Sequence, residues 1–297
     1  MHIGFWLVNF LPPGTPEEFE LRTPAGKWTF AKSPYFFDCL DAVTNKNACA
    51  NTYSMMFPLP NDVTQEAVKQ AAFLEALPIC LGASFTTGTA VTIRNSLDGS
   101  EIQFFVVGPR FPRQRELTGV ASCLNTMDQL IVFLERFVAE FNTLNSTEKL
   151  LLLSHFYIDA LSCWSLEDLY LSGSTLLQII ASTEEDSGRP FAATHAAERA
   201  AGNKKIKPGF FDYLAGAANR VGIAPLGHDV VKIRNSLIHD GTLKGPKFPT
   251  QADSAKPIAE AMLWVDAYVY AVLKLGQVPV LRHAARNYTI RLNSFSF

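Results

Sequence analysis

The chain of 297 residues lacks the cysteine pattern of a disulfide framework or of a zinc site. Its five cysteines are odd in number, are scattered along the chain and include no Cys-x-x-Cys pair. No metal and no cofactor is expected from this pattern. We predict reduced, buried thiols in a cytoplasmic protein at Cys39, Cys49, Cys80, Cys123 and Cys163.

Charge of one sign and long apolar runs are also missing. The 26 basic and 28 acidic side chains give a formal net charge of -2, which favours neither a polyanion nor a membrane surface. The apolar N-terminus ends at Pro12 and is too short for a signal peptide or a membrane span, and charged residues interrupt 150–171. A cytoplasmic protein without membrane contact is therefore expected, and 48% hydrophobic residues suffice for a core.

Strand and turn signals dominate the first part of the chain. A hairpin is indicated around Asp98-Gly99, and one helix is predicted from Val63 or Thr64 until Pro78 ends it. Residues 1–112 are thus interpreted as a β-rich N-terminal domain that could act as a sensor. Residues 113–117 form the linker. The predicted strands lie at the N-terminus, Gly26–Phe30, Thr52–Phe57, Ala90–Ile93 and Ile102–Val107.

Beyond the linker, apolar residues recur at the spacing of helices whose inner faces form a core. Short connections between such helices favour an antiparallel bundle over 118–275, so the predicted fold class is α+β. The tail 276–297 contains strand-like alternation at Tyr288–Leu292, and 183–208 is predicted to be a long loop. The predicted helices lie at 130–141, at 150–161 after a cap at Ser146 or Thr147, at 166–180 after a capping box opening at Ser165, at 210–219, at 229–239 and from Asp253 or Ser254 to Leu275.

Three polar residues on the predicted helix 229–239 carry the most specific chemical signal. At about 100° per residue, Arg234, Asn235 and His239 share one arc, opposite an apolar stripe that includes Val230 and Ile233. Arginine supplies a permanent charge and a planar fork for phosphate oxygens, and an amide orients its neighbours. Histidine is the side chain that changes charge near neutral pH. We refer to Arg234, Asn235 and His239 as the Arg-Asn-His motif.

This motif, followed by Asp240 and Gly241 at the end of the penultimate long helix, resembles the Arg-x4-6-His motif of the HEPN superfamily. The resemblance covers roughly residues 118–275. It implies a helical bundle, a homodimer that brings two motif helices together, and a metal-independent endoribonuclease of the kind found in toxin, CRISPR and anti-phage systems. The β-rich part before the bundle further resembles the ApeA-like anti-phage proteins, and a phage-derived or other trigger would then activate the enzyme.

The resemblance implies that Arg234 and His239 are catalytic and that Asn235 supports them. The ribose 2′-OH would attack the adjacent phosphate to leave a 2′,3′-cyclic phosphate, with His239 as general acid or base and Arg234 against the phosphoryl oxygens. Residues 202–247 contain eight basic and three acidic side chains, which indicates RNA as the partner. The candidate substrate-binding residues are Lys232, Lys204, Lys205 and Lys207.

A second copy of the string Ile-Arg-Asn-Ser-Leu serves as an internal comparison. It occupies 93–97 but continues into Asp98-Gly99 with no histidine. Because its context is a strand and a turn, we interpret this copy as coincidental.

Several alternatives remain open from the residues alone. His239 could cap its helix and Arg234 could pair with an acid of a neighbouring helix. Two His-Asp steps, at 228–229 and 239–240, are typical of metal phosphohydrolases, although further ligands at suitable spacing are not evident. Gln178 could contact the motif, but we interpret it as a core amide. The alternative function is a non-catalytic HEPN module that binds RNA or a protein partner.

Overall fold

The computed structural model of the chain describes residues 2–45, 48–58, 65–97, 122–163, 165–187, 208–243 and 249–283. The predicted strand 102–107, the turn at 98–99, the linker 113–117 and the strand-like segment 288–292 lie outside these ranges. Internal contacts divide the chain into two compact units, Met1–Asn142 and Thr143–Phe297.

The first unit contains an antiparallel five-stranded sheet. Its spatial order is β2-β3-β4-β1-β5, and every neighbouring pair is antiparallel. The sheet confirms four of the five predicted strands, and it adds β2, which was missed. The strands are β1 (His2–Val8), β2 (Glu18–Thr23), β3 (Gly26–Lys32), β4 (Asn51–Pro58) and β5 (Thr92–Ser96).

Aromatic side chains fill the core beneath the sheet. Phe19 stacks on Phe30 with ring centroids 4.5 Å apart, and Phe10 and Tyr53 meet edge to face at 5.5 Å. All four are buried, so rigid rings supply much of the apolar area that this unit removes from water.

The predicted end of a helix at Pro78 is wrong. Two helices accompany the sheet, α1 (Phe36–Asn45) and α2 (Gln65–Thr87), and α2 continues through Pro78 for nine more residues. A proline inside a helix costs about 3 kcal/mol because it lacks an N–H and crowds the preceding turn. The run after Pro78 is buried from Ile79 to Phe85, and this burial outweighs the loss.

The partner of that buried run is α3 (Met127–Glu148). Phe85 stacks on Phe133 with centroids 5.6 Å apart, and the apolar face predicted for 130–141 is buried. A Cβ on Gly82 would lie 3.0 Å from Leu134 and 3.1 Å from Phe137, so the two helices approach closely there. The helix expected to open the C-terminal bundle therefore packs for most of its length within the first unit.

The described part of the second unit contains the end of α3 from Thr143 and five further helices, and α5 contacts each of the other four of these five. Ser165 caps α5 by accepting the Asp168 N–H at 3.0 Å, as predicted. The predicted caps at Ser146 and Thr147 are wrong, because both hydroxyls donate to the Thr143 carbonyl inside α3. The helices are α4 (Leu150–Leu161), α5 (Leu166–Asp186), α6 (Phe210–Val221), α7 (Asp229–Asp240) and α8 (Gln251–Val272).

A buried charged cluster joins α4, α8 and the segment that follows α8. Arg282 donates to both carboxylate oxygens of Asp266, at 2.9 and 3.1 Å, and the His283 Nε2 lies 3.3 Å from the same group. The Tyr157 hydroxyl donates to Asp266 as well. Burial by itself would raise the pKa of Asp266, but Arg282 and His283 lower it below its ordinary value.

All five cysteines are free. Cys80, Cys123 and Cys163 are buried as predicted, whereas Cys39 and Cys49 are only partly buried. Burial raises the pKa of the Cys80 thiol to about 12, so this thiol remains protonated and inert at neutral pH.

Within the described ranges, no helix combines the length and the apolar character that crossing a membrane requires.

The close approach of α2 and α3 makes Gly82 sensitive to added volume. We expect Gly82→Val to destabilise the protein by about 1–3 kcal/mol, because the β-branched side chain would push into Leu134 and Phe137. Gly227→Val is the matched control, since nothing lies within 4 Å of a Cβ there. Equal midpoints of urea unfolding for the two variants would contradict this packing.

The Asp266 cluster predicts a pH-dependent loss of stability. Because the folded-state pKa of Asp266 is lowered, its stabilisation is present above the unfolded value of about 3.9 and is lost as the pH falls further. At pH 7, Asp266→Asn should cost about 3–5 kcal/mol, because the buried Arg282 and His283 lose the carboxylate charge that both contact.

The difference between wild type and Asp266→Asn should then narrow in urea unfolding below about pH 4. The control is Asp186→Asn, whose exposed carboxylate pairs with Lys149 at 2.8 Å and should matter by less than about 1 kcal/mol. A gap that stays constant down to pH 2 would argue against the cluster.

Candidate functional site

The helix α7 carries the Arg-Asn-His motif on its outer side. Val230 and Ile233 are each 1% exposed and anchor the inner side of the helix in the second unit. Gly241 ends the helix as predicted, in the left-handed conformation (φ 66°), and its N–H donates to the Leu237 carbonyl at 3.1 Å. The remaining arc of α7 therefore faces outward.

The motif side chains form a row along this arc. Arg234 is half-buried and its Nη1 donates to the Asn235 Oδ1 at 3.3 Å. Asn235 and His239 are both exposed and lie one helical turn apart, where side chains of a helix are neighbours. The guanidinium, the amide and the imidazole thus follow one another across a surface open to a ligand.

The two structural alternatives for the motif differ in what the described part of the chain shows of them. There, no carboxylate pairs with Arg234, whose side chain has Asn235 as its hydrogen-bond partner. In the same ranges His239 makes no side-chain hydrogen bond, but it lies in the last turn of α7, where a histidine can interact with the helix end as the other alternative has it. The positive charge of Arg234 is therefore available to an anion.

An open pocket of about 470 Å³ adjoins the motif at Arg234. Its walls come from one face of α5, from the start of α6 and from the first half of α7. We call it the α5–α7 pocket. Its lining residues are Leu171, Ser174, Thr175, Gln178, Phe210, Phe211, Val231 and Arg234.

The polar wall of the α5–α7 pocket has unused hydrogen-bonding capacity. The buried Ser174 Oγ has no hydrogen-bond partner among the described residues. Gln178 is exposed and its Nε2 donates to the Ser182 Oγ at 3.3 Å, so the interpretation of Gln178 as a core amide is wrong. The Thr175 hydroxyl donates to the Leu171 carbonyl at 2.9 Å.

The aromatic wall is fixed by contacts at both ends of its helix. Phe211 stacks on the exposed His228 with ring centroids 3.9 Å apart. At the other end of α6, Arg220 donates to Glu184 at 3.1 Å, to Glu148 at 2.9 Å and to the Tyr268 hydroxyl at 2.9 Å. These bonds tie α6 to α5 and so hold Phe210 and Phe211 opposite the polar wall.

Electrostatics keep the Arg220 network charged. Burial by itself would lower the pKa of Arg220, but the neighbouring Tyr268, Glu148 and Glu184 raise it. Both glutamates are almost completely buried, and the Tyr268 hydroxyl donates to Glu148 at 2.6 Å. The Arg220 guanidinium therefore pairs with two buried carboxylates at once.

Of the four lysines predicted to bind RNA, only Lys232 lies within the residues that the structure describes. Lys232 is exposed and forms an ion pair with Asp229 at 2.9 Å, which a phosphate could replace because exposed pairs are weak. Lys204, Lys205 and Lys207 lie outside the described residues. Across the described ranges, no group of three His, Cys, Asp or Glu side chains comes together that could hold a metal ion.

Sequence reasoning missed the rest of the α5–α7 pocket. Leu171, Ser174, Thr175 and Gln178 follow the i, i+3, i+4, i+7 spacing of one helical face, so their alignment was readable. The contact of this face with Phe211 and Arg234 was not readable from the sequence, because it depends on how three helices pack.

No protein-family model, curated protein sequence or solved structure matches this chain. The resemblance to the HEPN superfamily therefore stays a prediction from the residues of the Arg-Asn-His motif.

The Arg220 network predicts a large effect of one substitution. Arg220→Ala should destabilise the protein by about 3–5 kcal/mol, because the buried Glu148 and Glu184 would both lose the guanidinium that pairs with them. Arg136→Ala is the matched control, since Arg136 forms an exposed pair with Glu140 worth less than about 1 kcal/mol. Thermal unfolding checks both values, and equal small shifts would contradict the proposed compensation.

Proposed function

We propose that the protein is a metal-independent endoribonuclease of the HEPN type. The observation that carries this proposal is the row of the half-buried Arg234 and the exposed Asn235 and His239 on one helix, with Arg234 free of a carboxylate partner among the described residues. Cleavage of a phosphodiester requires a positive charge against the phosphoryl oxygens and a group that transfers a proton, and arginine and histidine are side chains that supply them.

The residues divide the reaction between them. The guanidinium of Arg234 binds the two non-bridging phosphate oxygens through its planar fork and stabilises the charge that develops on them. Asn235 holds that guanidinium at 3.3 Å and orients it along the helix. His239 takes the proton of the ribose 2′-OH as this oxygen attacks the phosphorus, and the 5′-oxygen of the next nucleotide leaves. DNA lacks the 2′-OH and is not cut.

The leaving 5′-oxygen also needs a proton. One motif helix offers a single histidine, so the second proton comes from water or from His239 of a second copy in a homodimer. Ile238 supports the dimer, because this large apolar side chain next to His239 is 47% exposed. A pair of such helices would cover both Ile238 side chains.

The biological setting is proposed from the HEPN resemblance alone. It makes the protein a cytoplasmic toxin or anti-phage defence effector, and it makes the first unit a sensor for a phage-derived or other trigger. The lysines at 204, 205 and 207, together with Lys232, would add charge for the RNA backbone.

The decisive experiment incubates the purified protein with total RNA in EDTA. Wild type should leave 2′,3′-cyclic phosphate ends, and His239→Ala should slow cleavage at least about 100-fold, the range of general acid–base catalysis. Arg234→Ala should lose a similar factor, because the developing phosphoryl charge is no longer stabilised.

Two control variants replace the same residue types, a histidine and an arginine, at positions outside the motif. His2→Ala replaces an exposed histidine on β1, and Arg94→Ala alters the second copy of the Ile-Arg-Asn-Ser-Leu string on β5. Both should cleave like wild type. If wild type leaves RNA intact, alone and with lysate of phage-infected cells, but binds it as tightly as His239→Ala does, then the protein is a non-catalytic RNA-binding module.

A further inference from the structure

We propose that the α5–α7 pocket binds one nucleobase of the RNA, and that it prefers a base with an exocyclic amino group. This inference rests on the proposed function for its choice of RNA as the ligand. Adenine, cytosine and guanine carry such an amine and uracil does not. The pocket would therefore set the base preference next to the phosphate that Arg234 holds.

Size and chemistry fit a base. The volume of about 470 Å³ lies within the range of about 300–1,000 Å³ typical of small-molecule sites. The aromatic wall offers Phe210 and Phe211, and bases stack on such rings whatever their sequence. The opposite wall carries polar groups, so a ligand with a flat apolar face and a polar edge matches both sides.

The polar wall favours a ligand that donates hydrogen bonds. Gln178 uses its Nε2 toward Ser182, which leaves its Oε1 as an acceptor. Thr175 uses its proton toward the Leu171 carbonyl, which leaves its oxygen lone pairs. An exocyclic amine presents two N–H donors to these oxygens, whereas the carbonyl of uracil or hypoxanthine at the same place would repel them.

Ser174 gives an independent reason to expect a ligand here. Its Oγ is buried and unpartnered among the described residues, although a hydroxyl is costly to bury without a hydrogen bond. A base in the pocket would supply that bond once the Ser174 side chain rotates toward the pocket, because the hydroxyl can both donate and accept.

The position of Arg234 connects the pocket to the motif. Its side chain lines the pocket and also bonds to Asn235, one turn before His239. A nucleotide could place its base among Ser174, Gln178 and the phenylalanines and its 3′-phosphate at Arg234. The scissile phosphate would then point toward His239.

The test compares nucleoside 3′-monophosphates that differ only at the amine. Calorimetry should give adenosine about tenfold tighter binding than inosine, and cytidine about tenfold tighter than uridine, the factor expected for one to two hydrogen bonds. Gln178→Ala and Ser174→Ala should each reduce both ratios toward one. Gln277→Ala, an exposed glutamine of the same unit, should keep them.

Ser174→Ala adds a readout that separates a binding role from a structural one. Removing an unpartnered buried hydroxyl should leave the unfolding midpoint equal or higher while nucleotide binding weakens. The proposal would be overturned by any of three results: affinity ratios near one in wild type, no binding of any of the four nucleotides, or affinity ratios unchanged in Gln178→Ala.

The binding assay involves no cleavage, so it tests the pocket independently of the ribonuclease activity. His239-dependent cleavage at all four bases with equal rates would overturn the pocket and leave the enzyme. Amine-dependent binding without cleavage by wild type would support the pocket and overturn the enzyme.

Discussion

The orientation of the candidate site depends on the burial of Val230 and Ile233. These two side chains are three residues apart and anchor α7 along a single stripe. With about 3.6 residues per turn, this stripe fixes the direction of every other side chain on the helix. Rotating α7 by one residue would expose Ile233 and turn Arg234 inward. The hydrophobic contact therefore sets the geometry of the polar row, although it takes no part in chemistry.

Two buried charged clusters hold the helices around α7 in place. Arg220 ties α6 to α5, and Asp266 ties α8 to α4 and to the segment after α8. Buried ion pairs stabilise a fold little compared with apolar residues of the same volume, but they tolerate few alternative packings. We infer that the clusters select the helix arrangement, and with it the opposition of the polar and aromatic walls of the α5–α7 pocket.

Local signals predicted the fold where local energies dominate. Ser165 begins α5 because its hydroxyl accepts an amide that would otherwise be unpaired, and Gly241 ends α7 because glycine tolerates a positive φ. The local signals failed where contacts between residues distant in the sequence compete with them. Pro78 lies inside α2 because the residues after it are buried against α3, and Ser146 lies inside α3 although its hydroxyl suits a cap.

The sequence by itself determined the chemistry of the motif and its shared arc, since residue types and helical period are local properties. It could also align Ser174 and Gln178 on α5. Only the tertiary structure decided that this α5 face meets Phe211 and Arg234 to enclose a pocket, because Gln178 lies 56 positions before Arg234 in the chain. Local energies do not determine which distant helix faces pack together. That choice depends on the burial of the remaining faces of each helix.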